Sequence, residues 1–317
     1  MTAVDVVTLG ETMGLLSAHE IGPWRNGHHM ILGIAGSETN VAIGLRRLGH
    51  SVAWIGRVGS DAFGELILRE LRAERVDTSH AIVDADTATG LMFKTRRTTV
   101  TSEVVYSRRG SAGSMLCPTD IDVDAIASAR LLHITGITAA LSPTARQAVA
   151  RAVDIAQEHR VPISMDVNYR SALWSEPKAS AALKEFVKHA AILFASENEA
   201  ALLVGDLPLE RAADALVHIG PAQVIIKRGE LGYTALIDGT FYAGEAVPVA
   251  VADPVGAGDA FVAAYLASWL DGAPPADALI AANHAGSFVV AVPGDWEGLP
   301  TSAELRAFAR RTDAVSR

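Results

Sequence analysis

LLHITGITAALSPTARQAVARAVDIAQEHRVPISMDV, residues 131–167, passes from strand-like to helix-like sequence and back again. Leu131 to Ile134 is a short apolar run of strand length. Pro143 to His159 repeats its apolar positions at helical spacing, and Pro162 to Val167 is apolar once more. The same alternation extends in both directions. Val4 to Leu9 reads as a buried strand. Glu38 to Leu48 carries Val41, Ala42, Ile43, Leu45 and Leu48 on a helix that Gly49 stops ahead of the strand Ser51 to Ile55. A further helix runs from about Phe63 to Arg72, with Ser60 and Asp61 both suitable as caps. After residue 167 come a helix over Ser180 to His189 and strands over Ile192 to Ala195 and Val224 to Lys227. Strands and helices in this order predict an α/β fold, a doubly wound and mostly parallel sheet covered by helices.

Two stretches break the pattern. After Gly10 and Glu11 comes a polar segment with Gly22, Pro23, Asn26 and Gly27. TGLMFKTRRTTVTSEVVYSRRG, residues 89–110, is rich in Thr, Val and Arg with little helical period, which favours extended, hairpin-like structure. Insertions near 11–33 and 87–114 are therefore expected to form a small β lid on one domain spanning 1–317.

The 317 residues are 50% hydrophobic and 20% charged, a composition that excludes disorder and fits a sizeable core. Asp and Glu total 36 against 27 Lys and Arg, for a formal charge of −9, so the surface repels phosphate backbones and anionic lipid. Nucleic acid and membrane are not expected as partners. A lone cysteine, Cys117, and an N-terminus lacking the basic flank and apolar stretch of a secretory signal point to a cytoplasmic protein. The ten histidines show no metal-binding spacing.

The chemistry is concentrated in AVADPVGAGDAFVAAYLASWLDG, residues 250–272. Gly256, Ala257, Gly258 and Asp259 fall where a loop enters an apolar helix. The first turn of a helix offers unpaired N–H groups and partial positive charge, and glycines let an anion approach the backbone. Asp259 sits beside that site, where the helix end favours its ionised form, able to accept a proton from a hydroxyl attacking phosphorus. Read alone, the same residues are equally a turn with an N-cap.

The longer string, with Asp253 six residues before Asp259, resembles the DTxGAGD signature of the PfkB, or ribokinase-like, carbohydrate kinases, with Pro254 where Thr is usual. Further motifs follow in the family's order. GIAGSETNVAIGLRRLGHSVAWIGRVGSDAFG, residues 33–64, is similar to its sugar-binding segment, including Gly36 and Asn40. SENE, residues 196–199, resembles NxxE, with Ser196 in place of Asn, and KRGELG, residues 227–232, resembles KxGxxG. The resemblance implies a ribokinase-like fold and ATP with Mg2+, with room for a monovalent cation. It implies that Lys227, Gly229, Gly232 and Asn283 lie against the nucleotide, and that Glu199 organises the metal through water. Individually, Asn40 reads as a helix cap and Glu199 as a first-turn residue.

DVNYRSALW, residues 166–174, follows a predicted strand, and residues just past strand ends line the ligand crevice of an open α/β sheet. Asp166, Asn168 and Arg170 are thereby candidate substrate contacts. Tyr106 and Arg108, in YSRRGSAGSML, alternate onto one face of the expected lid. A guanidinium matches a carboxylate with two hydrogen bonds, which suggests an acidic sugar. Both strings resemble those of the family's 2-keto-3-deoxygluconate kinases, with Met92 where a Tyr is common. That resemblance implies that Arg108 and Arg170 hold the carboxylate end while the terminal hydroxyl is phosphorylated. Taken singly, either arginine could instead form a salt bridge. The rival readings are a fructokinase-like kinase of a neutral ketose or another sugar acid, and a non-catalytic sugar or nucleotide sensor. A homo-oligomer would form through the lid.

Overall fold

The computed structural model describes residues 4–96, 98 and 102–315. Residues 97 and 99–101, inside the 87–114 insertion, and the extreme ends of the 1–317 span lie outside the described residues.

The strands, in chain order, are β1 (Val6–Leu9), β2 (Met13–Ile21), β3 (Met30–Ala35), β4 (Val52–Gly59), β5 (Ala81–Asp84), β6 (Leu91–Arg96), β7 (Ser102–Ser107), β8 (Leu131–Thr135), β9 (Ile163–Asp166), β10 (Ile192–Ser196), β11 (Gln223–Lys227), β12 (Tyr233–Ile237) and β13 (Thr240–Gly244). Nine of them form one sheet in the order β13-β12-β11-β10-β9-β8-β1-β4-β5. Its pairs from β5 to β11 are parallel, and only β11 with β12 and β12 with β13 are antiparallel.

Apolar side chains alternate across this sheet into two cores. Val7, Leu9, Ala53 and Ile55 join one, and Val6, Val52 and Trp54 join the other. Burial on both faces is why these strands read as nearly continuous apolar runs. The helix Pro143–Glu158 buries Ala145, Ala148, Val149, Ala152 and Val153 against the first core, with Ser142 capping its start by accepting from Ala145 N–H. Asp61, not Ser60, caps the helix Ala62–Ala73, accepting from the N–H groups of Phe63 and Gly64. The helix expected over 180–189 begins earlier, at Glu176, with Pro177 in its first turn.

From β1 the chain first builds outward through β4 to β5, then crosses to β8 on the other side of β1 and continues to β13. This reversal opens a crevice at the carboxyl ends of the strands. Glu11, Asp166, Ser196 and Lys227 all sit at those ends. The other four strands form a separate sheet, β3-β2-β6-β7, in which Met13, Leu15, Ala35 and Met92 make a small apolar cluster. Among the described residues, no helix is long and apolar enough to cross a membrane.

Candidate active site

The helix Ala257–Leu270 starts from Gly256, whose φ of 81° lies in the left-handed region, and no side chain caps its N-terminus. A methyl group at Gly256 would come within 2.1 Å of the Asp295 carbonyl oxygen, so both the backbone angle and the space require glycine. A methyl group at Gly258 would meet only Lys227 Nζ, at 3.5 Å. The first-turn N–H groups thus face an open, positively polarised pocket suited to an anion.

Asp259 projects from this turn into a cavity of about 510 Å³. Its Oδ1 accepts from Ser37 Oγ at 2.7 Å and its Oδ2 from Asn40 Nδ2 at 2.8 Å. Ser37 in turn accepts from Asn168 Nδ2 at 2.7 Å, and Asn168 holds a positive φ of 40° just beyond β9. The helix end was expected to favour the ionised carboxyl. Burial instead outweighs the two hydrogen bonds and pushes the Asp259 pKa up to about 6. That value suits a general base working near neutrality.

The same cavity is lined by Gly36, Asn40, Tyr106, Arg108, Asp166, Asn168, Arg170, Glu199, Lys227, Gly229, Gly256, Ala257 and Gly258. An adjoining cavity of about 680 Å³ shares Lys227, Gly229, Ala257 and Gly258 and adds Gly232 and Asn283. Apolar residues Val247, Val249, Val251, Phe261 and Val290 line it as well, a surface suited to a flat aromatic ring. Asn283 Nδ2 donates to the Glu245 carbonyl, so half of its amide holds the neighbouring loop.

Lys227 Nζ lies 2.6 Å from Asp166 Oδ2, bridging β11 and β9 across the end of β10. Burial works against its charge, but Asp166, with Glu199 and Asp259, raises its pKa nonetheless. Glu199 completes a capping box with Ser196: its Oε2 accepts from Ser196 N–H, and its Oε1 from Tyr169 N–H at 2.7 Å. Ser196 thus replaces the family's Asn with a working N-cap.

At the opposite end, Arg108 stacks over Tyr106 and places Nε and Nη2 each 2.6 Å from Glu11 Oε2. Glu11 is 2% exposed, and its other oxygen accepts from Ser111. Arg108 therefore already holds a protein carboxylate. Arg170 is exposed at the cavity rim, where it donates to its neighbour's carbonyl at Tyr169; among the described residues no carboxylate pairs with it. Met92 faces Tyr106 across the β6–β7 ladder and gives the cavity an apolar wall.

Glu11, Ser37, Glu38 and Asp295 line the cavity without having been singled out from sequence. Glu11 follows β1 directly, and the strand-end rule that selected Asp166 would have selected it too. Burial raises the pKa of Glu38, which accepts from Thr135 and Thr138, and takes that of Asp295, with help from the charge on Asp259, to about 7.

A polarised helix end, a half-buried carboxyl above it and two adjoining cavities meeting at the turn define the class: an enzyme that moves a phosphoryl group from one ligand to another. Comparison with known proteins agrees. Residues 4–302 match the family model described as pfkB family carbohydrate kinase, and the chain belongs to that family. It is 36% identical to the 2-dehydro-3-deoxygluconokinase of Thermoproteus tenax over 95% of this chain and 93% of that protein. Identity is 35% with the enzyme of the same name from Bacillus subtilis strain 168, over 98% and 97%. The crystal structure of a putative ribokinase II from E. coli in complex with ATP and Mg2+ superposes with a TM-score of 0.90 at 29% identity, covering 97% of this chain and 99% of that one.

Proposed function

We propose that this carbohydrate kinase transfers the γ-phosphoryl group of ATP to the terminal hydroxyl of 2-keto-3-deoxygluconate. The observation that carries the reading is Asp259, held over the uncapped helix end with a pKa near 6. The acceptor hydroxyl gives its proton to the Asp259 carboxylate as its oxygen bonds to the γ-phosphorus. The bond from that phosphorus to the bridging oxygen breaks, and ADP leaves. The N–H groups of the Gly256–Gly258 turn and the Lys227 ammonium meet the charge on the transferring group. The small sheet serves as a lid on a single catalytic domain and excludes water.

Magnesium fits the residues present. Asp166 Oδ1 is buried with no hydrogen-bond partner among the described residues, and no cluster of three or more ligating side chains occurs among them. This suits a cation held mostly by phosphates and water, with Asp166 and, through water, Glu199 as its protein carboxylates. When bound, it neutralises charge on the phosphates. A monovalent cation is proposed beside it, tested by exchanging potassium for choline in the assay.

Acceptor selection rests on Arg170, whose guanidinium pairs with no carboxylate among the described residues, with Arg108 contributing the donors that Glu11 leaves. The second reading, a neutral ketose, is favoured by that same Glu11–Arg108 pair. Assay of ADP release with 2-keto-3-deoxygluconate and with fructose decides between them. A preference for the acid of at least about tenfold in kcat/KM is expected, corresponding to about 1.4 kcal/mol; equal rates or a preference for fructose reverse the order. The same reading has the enzyme in the cytoplasm and self-associating through the exposed Leu32 and Val105, which lie in one cross-strand row on the face of the small sheet opposite Met92 and Lys94. Sedimentation of a Leu32→Lys variant tests the latter.

A further inference from the structure

Lys94 lies on β6 and is 3% exposed, yet it lines neither cavity. Its ammonium pairs with Asp253, 8% exposed and 159 positions away. Asp253 is a junction. Its Oδ1 accepts from Val255 N–H at 3.2 Å, shaping the turn that enters Gly256, and its Oδ2 also accepts from Gly294 N–H at 3.4 Å, next to Asp295. The N–H groups of Ala252 and Asp253 both donate to the Val290 carbonyl. One carboxylate thus joins the phosphate turn, the loop carrying Asp295 and, through Lys94, the small sheet.

On that sheet Lys94 stands two residues from Met92 and opposite Val104, and Met92, Val104 and Tyr106 line the acceptor cavity. Residues two apart on a strand share a face. Fixing Lys94 therefore fixes the surface that covers the acceptor. A buried ion pair is a poor source of stability, because both charges lose their water and an apolar pair would serve as well. What the pair does is tie β6 of the small sheet to the segment entering the Gly256 turn at one point.

We propose that Lys94 is a positioning residue for phosphoryl transfer: its ammonium sets the acceptor cover and the Asp253–Asp259 turn at one fixed relation, so that hydroxyl and γ-phosphate meet while water is kept out. The proposal rests on the kinase reading above but not on which sugar is the acceptor.

The test compares wild type, Lys94→Met, Lys94→Arg and the double variant Lys94→Met/Asp253→Asn, each checked for fold by circular dichroism. ADP released and sugar phosphate formed are measured separately, with the acceptor that the wild type uses best. Lys94→Met should lower kcat by about 10- to 100-fold, the scale of a misplacement near 1 Å, and release more ADP than sugar phosphate. Lys94→Arg, which keeps the charge, should recover part of both losses. The double variant lacks the unpaired buried carboxylate and should regain thermal stability while remaining slow and uncoupled; it carries the test if Lys94→Met does not fold. A Lys94→Met enzyme with kcat and KM within about twofold of wild type and one ADP per sugar phosphate overturns the proposal. So does a double variant that recovers turnover along with stability. Failure of the kinase reading looks different: the wild type itself releases no ADP with any sugar, and the proposal falls with it.

Discussion

Asn40 Nδ2 and Asp259 Oδ2 lie 2.8 Å apart although 219 positions separate them. The bond carries the start of the helix Ser37–Arg47 to the start of the helix Ala257–Leu270, and Ser37 adds a second bond to the same carboxylate. Both donors favour the charged form of a group that burial and the nearby Asp166 push toward neutrality, while Lys227 helps to keep it charged. The two helix starts that line the cavity meet at this one side chain.

Activity should therefore fall as acid protonates Asp259. Below about pH 6 kcat/KM should drop about tenfold per pH unit, and a rate profile from pH 5 to 8 checks it. Ser37→Ala removes a hydrogen bond to the ionised form and should move the acid limb to higher pH.

Gly256 and Gly258 should respond differently to alanine. Gly256→Ala meets the Asp295 carbonyl in a left-handed conformation, and should cost more than about 1 kcal/mol of stability as well as activity. Gly258→Ala has room in the fold and should leave Tm nearly unchanged while raising KM for ATP several-fold, because the added methyl stands where the phosphates approach. Thermal melts and ATP titrations of the two variants separate these effects.

How far these features could be read in the sequence depended on how local their causes are. The parallel strands were legible because burial on both faces leaves nearly unbroken apolar runs, as in β8 and β9, and the GAGD turn because the longer string with Asp253 resembles a family signature, the glycines by themselves reading equally as turn formers. The antiparallel pair β12 and β13 and the helix Leu209–Val217 were not assigned: each strand has only five residues, and the helix, although amphipathic, has only nine and starts with no side-chain cap to mark it. Arg108 was legible as a fork for a carboxylate, but nothing nearby in the chain announced that Glu11 would occupy it. Lys94 and Asp295 read as ordinary polar residues, and acquire meaning only where distant segments meet.

Breaking the Glu11–Arg108 pair should be expensive. Glu11→Ala leaves a buried guanidinium and the Ser111 hydroxyl without their acceptor, and should destabilise the protein by about 3–5 kcal/mol, read by urea unfolding.

Arg170→Lys should discriminate between substrates. An ammonium cannot reproduce a planar fork, so KM for 2-keto-3-deoxygluconate should rise about tenfold or more while that for fructose changes little. Equal losses on both would place Arg170 outside carboxylate recognition.

The sharpest check is kcat of Asp259→Asn alongside its Tm. The raised pKa means that ionising Asp259 opposes folding: stability is lost as pH rises from the unfolded-state value of 3.8 to about 6 and stays lost above it. The amide should therefore raise Tm at pH 7.5 by a few degrees, leave ATP binding intact, and cut kcat by about 10² or more. A variant that turns over at near the wild-type rate would contradict Asp259 as the base, and with it the account of the site.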